Sequence, residues 1–267
     1  MKHFILEPKT RGPWVSRVGA LEEGIDYPLG KDRFSLDHGS DYFAFFDRLG
    51  AVVTHGYAED KTVVALGTGV LRRGLRGVGH SVEEFWYLCD LKVRRSHRGK
   101  HIPWRLFGLS VPRHYVRCGR GYGVTMNPGD GSENPVVRMI ANFTLVPISV
   151  ATTLLFFSLD ADQMRAAMGT IQAHRGKTTF RSLSGVKDLI LESTGEPMRL
   201  LHTQFGFFAE HGTSEPQDGF VHMLCSPQGD PLSDALLEQG FSTSATATVL
   251  HHRMHDWDWS FILTSDI

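Results

Sequence analysis

Apolar positions in the first third of the chain follow the spacing of β-strands. They dominate Lys2 to Pro8, Ala51 to Tyr57 and Thr62 to Leu71. A polar turn at 58–61 joins the second of these segments to the third, which predicts a β-hairpin. Glu84 to Val93 is apolar almost throughout, a pattern typical of a strand that is covered on both faces.

A basic turn and a helix are predicted directly after this apolar strand. Proline has no amide hydrogen and its φ is already helical, so Pro103 suits the first turn of a helix. Ile102, Leu106 and Leu109 recur at i, i+4 and i+7, which predicts one buried helix face. Pro112 is expected to bend or end this helix.

Helical spacing appears in two further segments. One comprises Tyr42, Phe45, Phe46 and Leu49 within 40–49, and the other Met164, Ala167, Met168 and Ile171 within 160–173. The order strand, Pro/Gly turn, short helix, strand also occurs twice, at 121–157 and at 220–254. Because this order is common in α/β proteins, the sequence leaves open whether it reflects an internal duplication.

Composition narrows the class of protein. The 267 residues are 41% hydrophobic and carry a net charge of -1, which excludes a disordered chain and a uniformly cationic coat for nucleic acid or anionic lipid. The three cysteines, Cys89, Cys118 and Cys225, have no metal-binding spacing and indicate a reducing compartment. The longest apolar run, near Leu154, is too short to span a bilayer, so we expect a soluble, cytoplasmic protein of two lobes.

Positive charge is concentrated in one segment. Leu91 to Arg120 contains nine Lys or Arg residues and no Asp or Glu. This distribution predicts a surface that faces a polyanion. The alternative is a solvated helix face whose acidic partners lie elsewhere in the fold.

The segment 87–102 resembles the acyl-CoA-binding motif of the GNAT (Gcn5-related N-acetyltransferase) superfamily. It reads Tyr-Leu-Cys-Asp-Leu-Lys-Val-Arg-Arg-Ser-His-Arg-Gly-Lys-His-Ile. In that family a bulged strand ends in Val, and an Arg-Gly-x-Gly-x-Gly/Ala turn opens a helix that holds the coenzyme A pyrophosphate. The resemblance implies an α/β fold, a mixed sheet flanked by helices, with a GNAT-like acyl-CoA-binding domain at 1–158. The remainder, 159–267, would be a second, truncated GNAT-like lobe.

The resemblance also implies residue roles. The backbone of Leu91 and Val93 would pair with the pantetheine arm, and five residues of the turn would supply amides and charge to the pyrophosphate: Arg98, Gly99, Lys100, His101 and Ile102. Two positions depart from the family pattern, because His101 replaces the second Gly and Pro103 replaces Gly or Ala. The implied activity is transfer of an acyl group, most simply acetyl, from acyl-CoA to an amine by direct attack.

Acyl transfer to an amine needs a base, and a carboxylate is the usual choice. Glu84 is the first candidate and Glu83 the second, because in related enzymes a base often lies near the start of the motif strand. Either could instead cap the strand end at the surface. The predicted helix at 134–141 and the junction after it lack the tyrosine that often protonates the leaving thiolate.

Other functions stay open at this point. The chain could bind acyl-CoA without catalysis, or take its acyl group from an acyl carrier protein. Nucleic acid is disfavoured because the overall charge is not positive, and no metal site is predicted, since adjacent His251 and His252 on a strand point to opposite faces. The expected acceptor is a small-molecule or peptide amine that the sequence does not identify. The sequence also leaves open whether the protein forms a homodimer.

Overall fold

The computed structural model describes residues 1–22, 24–75, 82–141, 143, 146–210 and 212–267, and most of its strands form one sheet. The strands are β1 (Lys2–Leu6), β2 (Tyr27–Leu29), β3 (Asp32–Asp37), β4 (Ala51–Glu59), β5 (Thr62–Leu75), β6 (Val82–Val93), β7 (Gly121–Met126), β8 (Ser149–Leu159), β9 (Thr178–Arg181), β10 (Asp188–Leu191), β11 (Leu200–Phe205), β12 (Val221–Pro227) and β13 (Ala245–His252). The ten-stranded sheet has the order β1-β4-β5-β6-β7-β13-β8-β12-β11-β9, and a second sheet has the order β10-β3-β2. The α/β class is confirmed.

Helices flank the large sheet. They are α1 (Val15–Gly19), α2 (Ala44–Asp47), α3 (Ile102–Arg117), α4 (Pro135–Ala141), α5 (Ala161–Arg175) and α6 (Pro231–Glu238). Asp160 caps α5 by accepting the amide of Gln163, whose side chain accepts the Asp160 amide in return, so this helix begins where the sequence placed it. Among the described residues no helix has the length and apolar character needed to cross a bilayer.

The hairpin and the strand that precedes the basic turn form as predicted, with one difference. β1, β4, β5 and β6 make an antiparallel meander. Phe85, Trp86 and Tyr87 in β6 are buried, but Leu88 and Leu91 are 36% and 43% exposed. The expectation that this strand is covered on both faces is therefore wrong for its second half, where it loses its neighbour β7.

Helix α3 continues through Pro112 for five more residues, so the expectation that Pro112 could end the helix is wrong. Buried side chains anchor it on both sides of the proline: Ile102 and Leu106 before it and His114 after it. The indole of Trp86 also donates a hydrogen bond to the His114 carbonyl oxygen at 3.1 Å. These contacts outweigh the amide bond that the proline removes.

The predicted helix at 40–49 shrinks to the single turn α2. The Asp41 carboxylate accepts the Phe43 amide at 3.0 Å and so forms a turn in place of a first helical turn. Tyr42, Phe45 and Phe46 are nevertheless buried, as their spacing indicates.

The two repeated segments exchange their last strands. The unit β7-α4-β8 and the unit β12-α6-β13 lie side by side, and their strands appear in the sheet as β7-β13-β8-β12. Thus β13 pairs with β7 and with β8, while β8 also pairs with β12. Each unit contributes its final strand to the other half of the sheet, which is the arrangement expected if the two segments are copies. The division at 158/159 stays a prediction about the chain, since the sheet is continuous across it.

Candidate active site

The strands β6 and β7 separate part-way along their length. They pair in parallel at Trp86/Gly121, Tyr87/Tyr122 and Leu88/Gly123, and this last pair ends their ladder although both strands continue. Beyond it, 89–91 and 124–126 face one another across an opening and line a common cavity. The separation leaves an opening in the sheet between β6 and β7.

A β-bulge lies on the β6 side of this opening. Leu66 pairs with Lys92 and Thr68 pairs with Cys89, so Gly67 alone opposes both Asp90 and Leu91. Asp90 adopts a left-handed conformation with a φ of 58°. In a bulge the extra residue is left unpaired in the ladder.

A cavity of about 410 Å³ runs through the separation. On one side it is bounded by α3, through Trp104, Phe107 and His114, and on the other by Tyr27 and Phe34 of the small sheet. Most other lining residues are apolar, which is typical of a small-molecule site with a few oriented polar groups.

The basic turn leads into α3 next to this cavity. Gly99 and His101 have positive φ angles of 78° and 52°, and the turn brings Gly99, Lys100, His101 and Ile102 to the helix N-terminus. Within the described part of the chain, these backbone amides donate no hydrogen bond. His101 is exposed and does not line the cavity, whereas Pro103 and Trp104 do. The His101 imidazole therefore does not block the cavity next to the turn.

The concentration of positive charge in Leu91 to Arg120 is reduced by partners from elsewhere in the fold. Lys92 contacts Asp90 and Glu22, Arg113 contacts Glu7, Arg117 contacts Glu84, and Arg120 contacts Glu83. The prediction of a polyanion-facing surface is wrong for these four cations. Arg95, Arg98 and Lys100, which form no ion pair with any residue that the structure describes, lie in or next to the turn.

The sequence-predicted bases lie outside the cavity lining. The Glu84 carboxylate accepts hydrogen bonds from Arg73 at 2.9 Å and Arg117 at 3.1 Å. The hydrogen bond from Arg73, with that from Arg117, lowers its pKa. Glu83 forms an ion pair with Arg120. The catalytic assignment of Glu84 and Glu83 stays a prediction, and the structure gives both carboxylates arginine partners.

A buried charged cluster, which the sequence did not indicate, lies behind the bulge. It comprises Glu22, His38, Tyr42, Asp90 and Lys92. The Lys92 ammonium contacts both carboxylates and donates to the Tyr42 hydroxyl at 2.9 Å, and that hydroxyl donates to Asp90 at 2.6 Å. Burial lowers the pKa of Lys92, but the two carboxylates raise it by more. A ring nitrogen of His38 and carboxylate oxygens of Glu22 and Asp90 lie within 4.8 Å of one another. The positive charge next to these two carboxylates is the Lys92 ammonium.

One signal in the sequence could have revealed this cluster. Lys92 lies in an otherwise apolar strand and is buried in the fold. A buried ammonium requires a carboxylate partner. Its partners come from separate segments, and Glu22 lies in a region without periodicity, so spacing alone does not identify them.

Comparison with known proteins gives distant relatives. No protein-family model matches the chain. Uncharacterized protein L340 of Acanthamoeba polyphaga mimivirus is 21% identical over 241 residues, which cover 85% of this chain and 68% of that protein. A tandem GNAT protein from the clavulanic acid biosynthesis pathway, solved without AcCoA, is 11% identical with a TM-score of 0.49 and covers 95% of this chain and 99% of that one. Saccharomyces cerevisiae N-myristoyltransferase with bound myristoyl-CoA is 9% identical with a TM-score of 0.46, over 94% and 82% of the two chains.

The order of elements decides the fold. A first strand, an antiparallel meander, a bulge, a basic turn, a helix and a parallel strand follow one another as the motif resemblance implies. The chain has the GNAT fold. Within this sheet β13 lies between β7 and β8, so β7 and β8 are not adjacent. This exchange ties the two halves of the chain together in one sheet.

Proposed function

We propose that the protein is an acyl-CoA-dependent N-acyltransferase, most simply an acetyltransferase, that acts on an amine by direct attack. The observation that carries this proposal is the bulge at Asp90 and Leu91, at the opening between β6 and β7. It lies between a turn with free amides and an apolar cavity. An acyl-CoA has a matching combination: a charged pyrophosphate, a polar pantetheine arm and an acyl group.

The residues of the motif fit an acyl-CoA donor. The free amides of 99–102 and the positive end of the α3 dipole suit a pyrophosphate. Leu91 is exposed at the opening, so its backbone is accessible to a pantetheine arm, and Val93 follows on the same strand. Arg98 and Lys100 add positive charge beside the turn. Acyl-CoA is therefore the donor we propose for this chain.

The bulge supplies the second requirement of acyl transfer. Attack on a thioester carbonyl places negative charge on its oxygen, and a preorganised backbone amide stabilises that charge. The residue left out of the ladder at 90–91 offers such a donor at the mouth of the cavity. The proton of the amine goes to a base, for which the sequence proposes Glu84 or Glu83.

Binding of acetyl-CoA tests the proposal. Isothermal titration is expected to show acetyl-CoA binding that Lys100→Glu weakens by about tenfold or more, because the new carboxylate repels the pyrophosphate. Lys9→Glu is the matched control, since Lys9 is exposed on another loop and the charge change is the same. Release of the CoA thiol in the presence of primary amines then measures transfer. Binding without thiol release would favour a non-enzymatic acyl-CoA-binding protein.

A second prediction uses the backbone of the turn. Gly99 and Gly131 have φ angles of 78° and 77°, and a Cβ at either meets no atom within 4 Å. Gly99→Val and Gly131→Val should therefore cost similar stability, on the order of 1–2 kcal/mol, from the left-handed backbone alone. Only Gly99→Val is expected to weaken acetyl-CoA binding. Equal affinities of the two variants would show that this turn does not hold the donor.

A further inference from the structure

His38 lies between the cavity and a buried carboxylate. It follows β3 and lines the cavity, yet its side chain is only 4% exposed. Its Nε2 atom is 3.6 Å from Oε1 of Glu22, and neither ring nitrogen has a hydrogen-bond partner among the residues described. The imidazole is therefore a buried group at the cavity wall, with its Nε2 next to the Glu22 carboxylate.

The ring lies at the level of the bulge. The nearest ligand atoms of His38, Glu22 and Asp90 are within 4.8 Å of one another, and Asp90 is the left-handed bulge residue. The His38 ring is also 4.5 Å from the ring of Tyr42, which bonds to the Asp90 carboxylate. The imidazole therefore lies next to the side chain of the bulge residue.

Charged groups surround this ring. The carboxylates of Glu22 and Asp90 face one ammonium, that of Lys92, which leaves one negative charge in the buried cluster. Tyr42 adds none, since burial raises the pKa of its hydroxyl well above the usual value. Lys187 lines the same cavity, and burial lowers its pKa to about 8.

The backbone next to His38 is tightly held. Gly39 has a φ of 64°, and a Cβ there would lie 2.2 Å from the carbonyl oxygen of Gly185. Its amide donates to the Asp37 carboxylate at 2.8 Å. This close approach between two loops holds the backbone next to His38 in place.

We propose that His38 is the general base of the acyl transfer and that Glu22 positions it. This inference rests on the proposed function. The amine nitrogen attacks the thioester carbon, so a C–N bond forms and the C–S bond breaks. His38 accepts the proton that the amine loses, and the leaving CoA thiolate takes a proton back from the imidazolium.

Kinetics of His38→Gln test the role of the imidazole. The variant is expected to lower kcat for acetyl transfer about 100-fold or more, to remove the acid limb of the kcat/KM pH profile, and to leave the acetyl-CoA Kd within about twofold. His174→Gln, an exposed histidine at the end of α5, is the control. Glu22→Gln should shift the acid limb to lower pH, because the imidazolium loses one facing carboxylate. If Glu22 has only a structural role, Glu22→Gln would leave the acid limb of the kcat/KM pH profile at the same pH.

A covalent probe gives a readout that needs no acceptor. Bromoacetyl-CoA places an electrophilic carbon at the acyl position, and a neighbouring imidazole nitrogen displaces bromide to form an N–C bond. Peptide mass spectrometry is expected to find this adduct on His38 and to find none at residue 38 in His38→Gln. An adduct on Glu84 or Glu83, or none at all despite binding, overturns the assignment of His38. Failure of bromoacetyl-CoA and acetyl-CoA to bind would instead overturn the proposed function.

Discussion

Replacing Asp266 by Asn is expected to lower the free energy of unfolding by about 3–5 kcal/mol, because it leaves a buried guanidinium without its counter-ion. The Asp266 carboxylate accepts a hydrogen bond from Arg72 at 2.8 Å, and both side chains are below 10% exposed. Arg72 also donates to the Tyr122 hydroxyl at 2.6 Å. Urea unfolding followed by circular dichroism measures the loss.

The control is an ion pair of similar geometry at the surface. Asp218 lies 2.5 Å from Arg165, but its side chain is 83% exposed, so Asp218→Asn should cost less than about 1 kcal/mol. Adding Arg72→Met to Asp266→Asn removes the uncompensated charge and should restore part of the stability. If Asp266→Asn costs no more than Asp218→Asn, the buried pair contributes little.

This pair also explains why the two halves of the chain should unfold together. Arg72 belongs to β5 in the first half, whereas Asp266 follows the last strand, β13. The exchanged strand β13 lies between β7 and β8 in the same sheet. Neither half buries its sheet edge without the other, so a single cooperative transition is expected.

The sequence predicted the elements well where a local pattern determines them. The hairpin β4-β5, the strand β6 and the start of α3 follow from apolar spacing, a polar turn and Pro103. The sequence did not predict features that depend on contacts between residues far apart in the chain. The persistence of α3 beyond Pro112 depends on His114 and Trp86, and the exchange of β13 depends on pairing with strands that precede it by about a hundred residues.

The candidate site divides in the same way. The motif at 87–102 identified the bulged strand and the turn because both are contiguous in sequence. His38 and Glu22 could not be identified, since only folding brings them within 4.8 Å of Asp90. The prediction of a polyanion-facing surface on 91–120 failed for three arginines because their acidic partners lie outside this segment in the sequence. Glu7, Glu83 and Glu84 pair with them only in the folded chain.

Acidification from pH 7 to pH 5 is expected to destabilise the protein by several kcal/mol. Burial lowers the pKa of His55 to about 4, of His114 to about 4 and of His202 to about 3. In the unfolded chain each histidine titrates near 6.5. Between these values the unfolded state binds more protons, so the stability is fully present above about pH 6.5 and is lost as the pH falls toward 4.

The size of the effect follows from the same linkage. Each such histidine contributes up to about 1.4 kcal/mol per pH unit within that window, or roughly 2 kcal/mol between pH 6.5 and pH 5. Urea unfolding at a series of pH values measures the slope. His114→Asn removes one of these groups and should flatten the dependence whatever its cost in stability at pH 7. His174→Gln should leave the slope unchanged because His174 is exposed. A wild-type stability that is flat from pH 7 to pH 5 would contradict burial of these imidazoles in the neutral form.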